Sequence, residues 1–388
     1  LRASAYPRRL GLIAGAIIFT ALNLRTAIAS VPPLLDEIRA TVPLSATAAG
    51  VLTTAPVVCM AVGSPIAPPL ARRIGTEAAI TALGLTVAAG ILLRLIDGVV
   101  PLFAGTIVAG LGIALGNVLV PSLIKRDFPD RVGPMTGGYT MAISASGAIA
   151  AALTVPAEDA IGRGWQWGLA VWAIPAVVAA LIWVPWIARR GAAAGASAVP
   201  SLWRNPIAWQ VTVYMGLQSL LFYSALSWLP TLLRDHGIDR EAAGALLSVM
   251  LLAGVPTCLL VPVFAARGRD QRPAVAAMVA LAGMGFAGLL IAPDAAPALW
   301  ATLLGFSQGG LLALAFLFFS LRTPDQAHAA ELSAMAQSVG YLVAATGPLV
   351  VGVLRDATGG WTAPLLFLIA VIFPLLAAGL AAGRSQIV

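Results

Sequence analysis

Arg25 closes the stretch Leu-Asn-Leu-Arg at 22–25, inside the first long apolar run of the chain. At a rise of 1.5 Å per residue it sits roughly 22 Å along a helix, past the middle of a ~30 Å hydrocarbon core. A guanidinium cannot shed its proton, and a charge at that depth costs about 2.5–3.5 kcal/mol on insertion scales. It must meet water, carbonyls, a carboxylate or an anionic ligand. Two readings follow: a structural arginine bonded to helix ends, or a binding cation facing a cavity. Neutral polar residues in other apolar runs add hydrogen-bonding capacity: Asn23, Thr26 and Ser30, then Asn117, then Tyr139, Ser144 and Ser146. Gln218, Ser219, Tyr223, Ser224 and Trp228 share one run, Gln308 lies in another, and Gln337, Ser338 and Tyr341 in a third. Such residues either line a ligand site or bind helices to one another.

Helical geometry restricts the choice. At 100° per residue Asn23, Thr26 and Ser30 share a face, and Arg25 points about 200° away from Asn23. An unbroken helix cannot aim both into one cavity. Either one of the two is structural or the helix is distorted, with Pro32 and Pro33 just beyond; Arg25 has the greater need of water. Gln337 and Tyr341 are four apart and share a face.

Bond-making chemistry finds little support. Gly305-Phe306-Ser307-Gln308-Gly309 matches the hydrolase pattern G-x-S-x-G, but that motif needs a strand-to-helix elbow and a histidine partner. Here it lies in an apolar helical run, and His236 and His328 read as loop residues. Cys59 and Cys258 lie in apolar runs, which excludes a disulfide framework and leaves no cysteine-built metal site. All 16 Asp and Glu residues fall in loops or near run ends, so no buried carboxylate stands ready as a proton relay. Asp36, Asp97, Asp127 and Glu331 come nearest, and solvation explains them. The expectation is no catalytic residue, no metal and no cofactor.

The elements that must position these residues are spanning helices. Of 388 residues, 60% are hydrophobic and 10% charged, and mean hydropathy is +0.93. A soluble chain so apolar could not cover its surface, which excludes a soluble enzyme, a nucleic-acid-binding domain and a disordered chain. Twelve runs are long enough to cross a bilayer, near 10–30, 46–70, 78–96, 100–123, 134–156, 167–187, 206–230, 243–265, 273–292, 297–320, 331–353 and 361–382. The first lacks a small-residue cleavage site and reads as a helix rather than a removed leader. With the N-terminus inside, cytoplasmic segments carry Arg72, Arg73, Lys125, Arg126, Arg131, Arg189, Arg190, Arg267, Arg322 and other basic residues. Outer segments carry only Arg39, Arg94, Arg163, Arg234, Arg240 and Arg355. That bias places both termini in the cytoplasm. A small-residue loop at 188–205 divides the chain into a bundle over 1–187 and another over 206–388. The halves look duplicated: at an offset of 194, Gly50 falls on Gly244, Pro68 on Pro262 and Arg73 on Arg267; at 195, Gly110 falls on Gly305 and Pro129 on Pro324.

Twelve spans in two halves resemble the major facilitator superfamily. PPLARRIG at 68–75 is similar to the superfamily's signature loop, with Arg72 where an acid is usual. LNLR (22–25), APPLARRIGTE (67–77), GNVLVP (116–121), KRDFPDRVGPMTGGYT (125–140) and ELSAMAQSVGY (331–341) resemble the cyanate permease and nitroimidazole transporter branch. The resemblance implies an all-α membrane protein with two pseudo-symmetric six-helix bundles that alternate access to a site. The first, fourth, seventh and tenth spans would line it, bringing in Arg25, Asn117, Gln218 and Gln308. The fifth and eleventh would add Tyr139, Gln337 and Tyr341, with Tyr223 and Trp228 closing over the ligand. Arg72, Arg73, Arg131 and Arg267 are the expected gating residues. The expected function is secondary transport of a small polar, anionic solute across the inner membrane by a monomer, with Arg25 as the binding cation and no nucleic-acid partner. The alternative is export of neutral, drug-like molecules with Arg25 structural. A membrane enzyme or sensor and a channel are the remaining rivals.

Overall fold

The computed structural model describes residues 5–44, 46–187 and 201–388. All regular secondary structure among them is helical. The chain runs through α1 (Ala5–Ala21), α2 (Thr26–Ala29), α3 (Leu35–Thr41), α4 (Ala46–Gly63), α5 (Ala67–Ile74), α6 (Thr76–Leu93), α7 (Val99–Asp127) and α8 (Val132–Ile161). It continues with α9 (Trp165–Ala170), α10 (Ala173–Ile187), α11 (Pro206–Asp235), α12 (Arg240–Ala265), α13 (Arg272–Ile291), α14 (Pro297–Leu321), α15 (Gln326–Thr358) and α16 (Thr362–Ala382). Most of the expected middle loop, 188–200, with Arg189 and Arg190, lies outside the described residues.

Eleven described stretches are long and apolar enough to cross a membrane. The expected seventh span, α11, has 30 residues and ample length. Its hydropathy is diluted by Gln210, Thr212, Gln218, Ser219, Ser224 and Ser227, so it falls outside that set. Large apolar side chains point outward along the helices, with Phe373 70% exposed and Leu349 69% exposed. In water this would be an aggregation surface; in a bilayer it is the lipid-facing side.

Local chemistry sets the helix boundaries. The Asn205 side chain accepts from Ile207 N and Ala208 N and starts α11, with Pro206 at its first position. Asp239 and Asp325 cap α12 and α15 in the same way. Gly75, with φ +88°, makes the turn between α5 and α6 that a side chain would strain. The sixth expected span breaks into α9 and α10 at Val171, the position whose carbonyl would meet the ring of Pro175 in a continuous helix.

The chain divides into two compact units. The first comprises 1–128 and 142–200, the second 129–141 and 201–388, so the division falls inside α8. Within the first unit, Val31, Leu34 and Ile38 pack with Leu102, Trp165 and Leu169. Also within it, Gly110 of α7 lies so close to α4 that a Cβ would stand 2.8 Å from the Cβ of Cys59. Within the second unit, its offset partner Gly305 of α14 meets the carbonyl of Met250 in α12. The matched glycines thus make the same kind of helix contact in each unit, which gives the repeat in the sequence a structural counterpart.

Candidate functional site

In the first unit the first span is interrupted where the polar residues cluster. Residues 22–25 leave the helix: Asn23 N and Leu24 N donate to Thr20 O and Ala21 O, three residues back. Helix resumes at Thr26, with Arg25 capping it at φ −125°, ψ −11°. Side chains draw on the same backbone carbonyls. Asn23 Nδ2 donates to Phe19 O (2.7 Å) and Thr26 Oγ1 to Asn23 O (3.2 Å). Thr20 Oγ1 donates to Ala16 O and accepts from Trp183 Nε1, both at 2.8 Å. Leu24 is keyed against Gly116 of α7, which has no side chain to exclude it. The distorted-helix alternative is therefore the observed one. The distortion precedes Pro32 and Pro33, which form a 3-10 turn of their own over Pro32–Leu34.

The interruption sorts the two candidates. Asn23 is 3% exposed, its amide nitrogen is held by Phe19 O, and its Oδ1 lacks a hydrogen-bond partner. Arg25 is half-buried, its alkyl chain beside Gly147 of α8. Asn117 of α7 is buried and its Nδ2 points to Met60 Sδ at 3.6 Å.

One cation of this unit has a placement the sequence did not reveal. Arg94, assigned above to an outer segment, is 1% exposed, and its Nη1 donates to Ala27 O of α2 at 2.8 Å. Its position near the end of the apolar run at 78–96 gave no sign of burial.

In the second unit Tyr139 is fully buried, edge-on to Phe316 at 5.4 Å. Gln218 is buried and committed to its own helix, Nε2 donating to Ser219 Oγ (2.6 Å) and Met215 O (3.2 Å). Tyr223 is half-buried and edge-on to Phe222. Trp228 ties α11 to α15 through Nε1 and Pro348 O (2.9 Å) and stacks edge-on to Trp361. Gln337 Nε2 donates to Ser333 Oγ at 2.8 Å, and Tyr341 is buried one turn further along α15. Gln308 stands apart: it is 4% exposed, and neither its amide nitrogen nor its oxygen has a hydrogen-bond partner. Beside it Ser307 is fully buried in the middle of α14, on a helix and not an elbow.

Among the expected gating residues, Arg73 and Arg131 are exposed, Arg72 is half-buried in the last turn of α5, and Arg267 lies exposed over the Phe264 ring at 4.8 Å. The strong ion pairing in this part of the first unit is elsewhere. Arg126 at the end of α7 reaches Glu77 in the first turn of α6 at 2.7 Å, and Asp127 at 2.8 Å. Both residues lie inside quoted motifs, but only the fold shows that they meet. No group of three metal-ligating side chains occurs among the described residues.

Long lipid-facing helices, two units with corresponding internal contacts, and buried amides and arginines define a polytopic membrane protein. The chain belongs to the Major Facilitator Superfamily, whose sequence pattern matches residues 13–348. It is 40% identical over 383 residues to the 2-nitroimidazole transporter of Escherichia coli (strain K12), covering 97% of this chain and 96% of that one. It is 31% identical over 348 residues to the cyanate transport protein CynX of the same organism, covering 89% and 90%. The structure matches that of the proton:xylose symporter XylE bound to 6-bromo-6-deoxy-D-glucose with a TM-score of 0.74, covering 96% and 95% of the two chains at 13% identity, a likeness of fold.

Proposed function

We propose that this protein is a monomeric secondary transporter of the bacterial inner membrane, with both termini cytoplasmic, that moves a small anionic solute by alternating access. The bundles would be 1–187 and 206–388, joined by the loop at 188–205. The observation that carries the reading is Arg25, a permanent cation at the interruption of a membrane-spanning segment. A broken span offers irregular backbone and hydration that a continuous helix does not, and carriers use such breaks at their binding sites. Gln308 supports it from the second unit, as a buried amide whose donor and acceptor are both unused by the protein.

The membrane potential sets what each direction of transport requires. An anion moved inward alone works against about 2.3 kcal/mol per charge per 100 mV. Uptake therefore needs a co-transported cation or an exchanged anion, whereas efflux does not.

A second reading, export of neutral heterocycles with Arg25 structural, is favoured by the higher identity to the 2-nitroimidazole transporter. One experiment separates the two. Purified protein is screened by thermal shift against small anions and neutral heterocycles, since a ligand that binds the folded state raises its stability. Anions are expected to stabilise the parent and not Arg25→Leu. Stabilisation by neutral compounds alone, retained in Arg25→Leu, would establish the second reading.

A further inference from the structure

Arg94 caps the end of α6. It is 1% exposed, its hydrogen bond is Nη1 to Ala27 O, and its Nε has no partner. No carboxylate of the described residues pairs with it. The nearest acid in sequence, Asp97, is exposed and accepts from Gln166 Nε2 at 2.8 Å. The Arg94 alkyl chain crosses α7 at Gly105, where a Cβ would stand 2.8 Å from Arg94 Cγ. A cation enclosed by apolar helices without a counter-charge is a costly arrangement, and a methionine would fill the same volume without that cost.

The partner explains the arrangement. Ala27 lies two residues beyond Arg25, in a four-residue helix. A helix of that length cannot sustain itself, because its hydrogen bonds do not repay the cost of fixing its backbone. It is held from outside, and the buried guanidinium supplies a hydrogen bond to it across 67 residues of sequence. The bond leaves the Arg94 charge uncompensated next to the segment that presents Arg25.

We infer that Arg94 is a positioning residue for anion recognition by Arg25: through Ala27 O it fixes the interruption at 22–25, and its unpaired charge makes that segment positive. The inference rests on the reading of Arg25 as the binding cation, and its test uses no substrate.

The full chain is prepared with Cys59→Ala, Cys258→Ala and Arg25→Cys, which leaves one thiol, at position 25. That thiol is then labelled with a neutral, an anionic and a cationic methanethiosulfonate. The neutral rate reports the placement of position 25, and the anionic-to-cationic ratio reports the local potential. Arg94→Lys, which keeps charge and donor, is expected to preserve both readouts. Arg94→Gln, which keeps a donor only, should preserve the neutral rate and lower the ratio at least about fivefold. Arg94→Met should change both. A ratio within about twofold of the parent in Arg94→Gln overturns the inference, as does failure of lysine to restore what methionine removes. If Arg94→Met does not fold, the Lys and Gln pair still decides. Arg25→Leu with undiminished anion binding would instead sink the Arg25 reading and leave these labelling results standing.

Discussion

Arg126 donates to Glu77 across 2.7 Å, joining the last turn of α7 to the first turn of α6 within the first unit. The second unit repeats the device with different chemistry. Glu77 and Gln271 are offset by 194, and Arg322, at the end of α14, donates through Nη2 to Gln271 Oε1 at the start of α13. Arg322 also donates to Ala382 O (2.6 Å) and Gly383 O (3.1 Å) at the end of α16. An ion pair in one unit thus corresponds to a buried arginine among neutral acceptors in the other.

The two clamps should differ in strength. Glu77→Gln removes a pair whose side chains remain 22% and 31% exposed, and its cost should be at most about 1 kcal/mol. Arg322 is 3% exposed, and Arg322→Met strands Gln271 Oε1 and Ala382 O, while Gly383 O keeps its bond from Gln271 N, so a loss of about 2–4 kcal/mol is expected. Denaturant titration of both variants in one detergent checks the order; equal losses would refute it.

Acid should weaken the second unit at its loop pairs. Hydrogen bonds from Arg272 hold Asp270 down to about 2 from 3.8, and those from Arg355 hold Asp235 below its usual range. A depressed carboxylate stabilises the fold above its unfolded pKa, and that contribution is lost as pH falls through the folded value. The melting temperature should be level near neutrality and fall below about pH 4. The fall should be shallower in Asp270→Asn with Asp235→Asn. An unchanged acid limb in that double variant would show that other groups control it.

Gly309 packs against the carbonyl of Gly254, and its Cβ would also approach Thr257 Oγ1. Gly244 has open space around it. Gly309→Leu should therefore cost about 3 kcal/mol or prevent accumulation of folded protein, whereas Gly244→Ala should be neutral or gain up to ~1 kcal/mol. Melting curves of the two variants beside the parent test the contrast.

Gln308 should trade stability against binding. Its two unpartnered amide atoms are each buried at a cost of about 1–3 kcal/mol, which an apolar side chain of similar volume removes. Gln308→Met is expected to melt higher than the parent without ligand and to show a smaller shift with any ligand that stabilises the parent. A lower melting temperature would mean that the amide is already satisfied.

The helical class, the approximate spans, the repeat and most of the polar residues inside the membrane were legible in the amino-acid order. Hydropathy and spacing are local properties, and one apolar run suffices to read them. Run ends were underestimated, as at 331–353 against Gln326–Thr358, because helices continue with polar residues once past the apolar core. Tertiary structure decided which polar residues are occupied and which are idle. Gln218 and Gln308 look alike in sequence, yet one amide nitrogen is taken by Ser219 and Met215 while the other amide is unmatched. Arg94 read as an outer-segment charge until the fold buried it against Ala27. At the break over 22–25, Leu24 likewise meets Gly116, a residue of another span. Burial and hydrogen bonding are properties of pairs, and for Arg94 with Ala27 and Leu24 with Gly116 the partners lie tens of residues apart, beyond the reach of any local pattern.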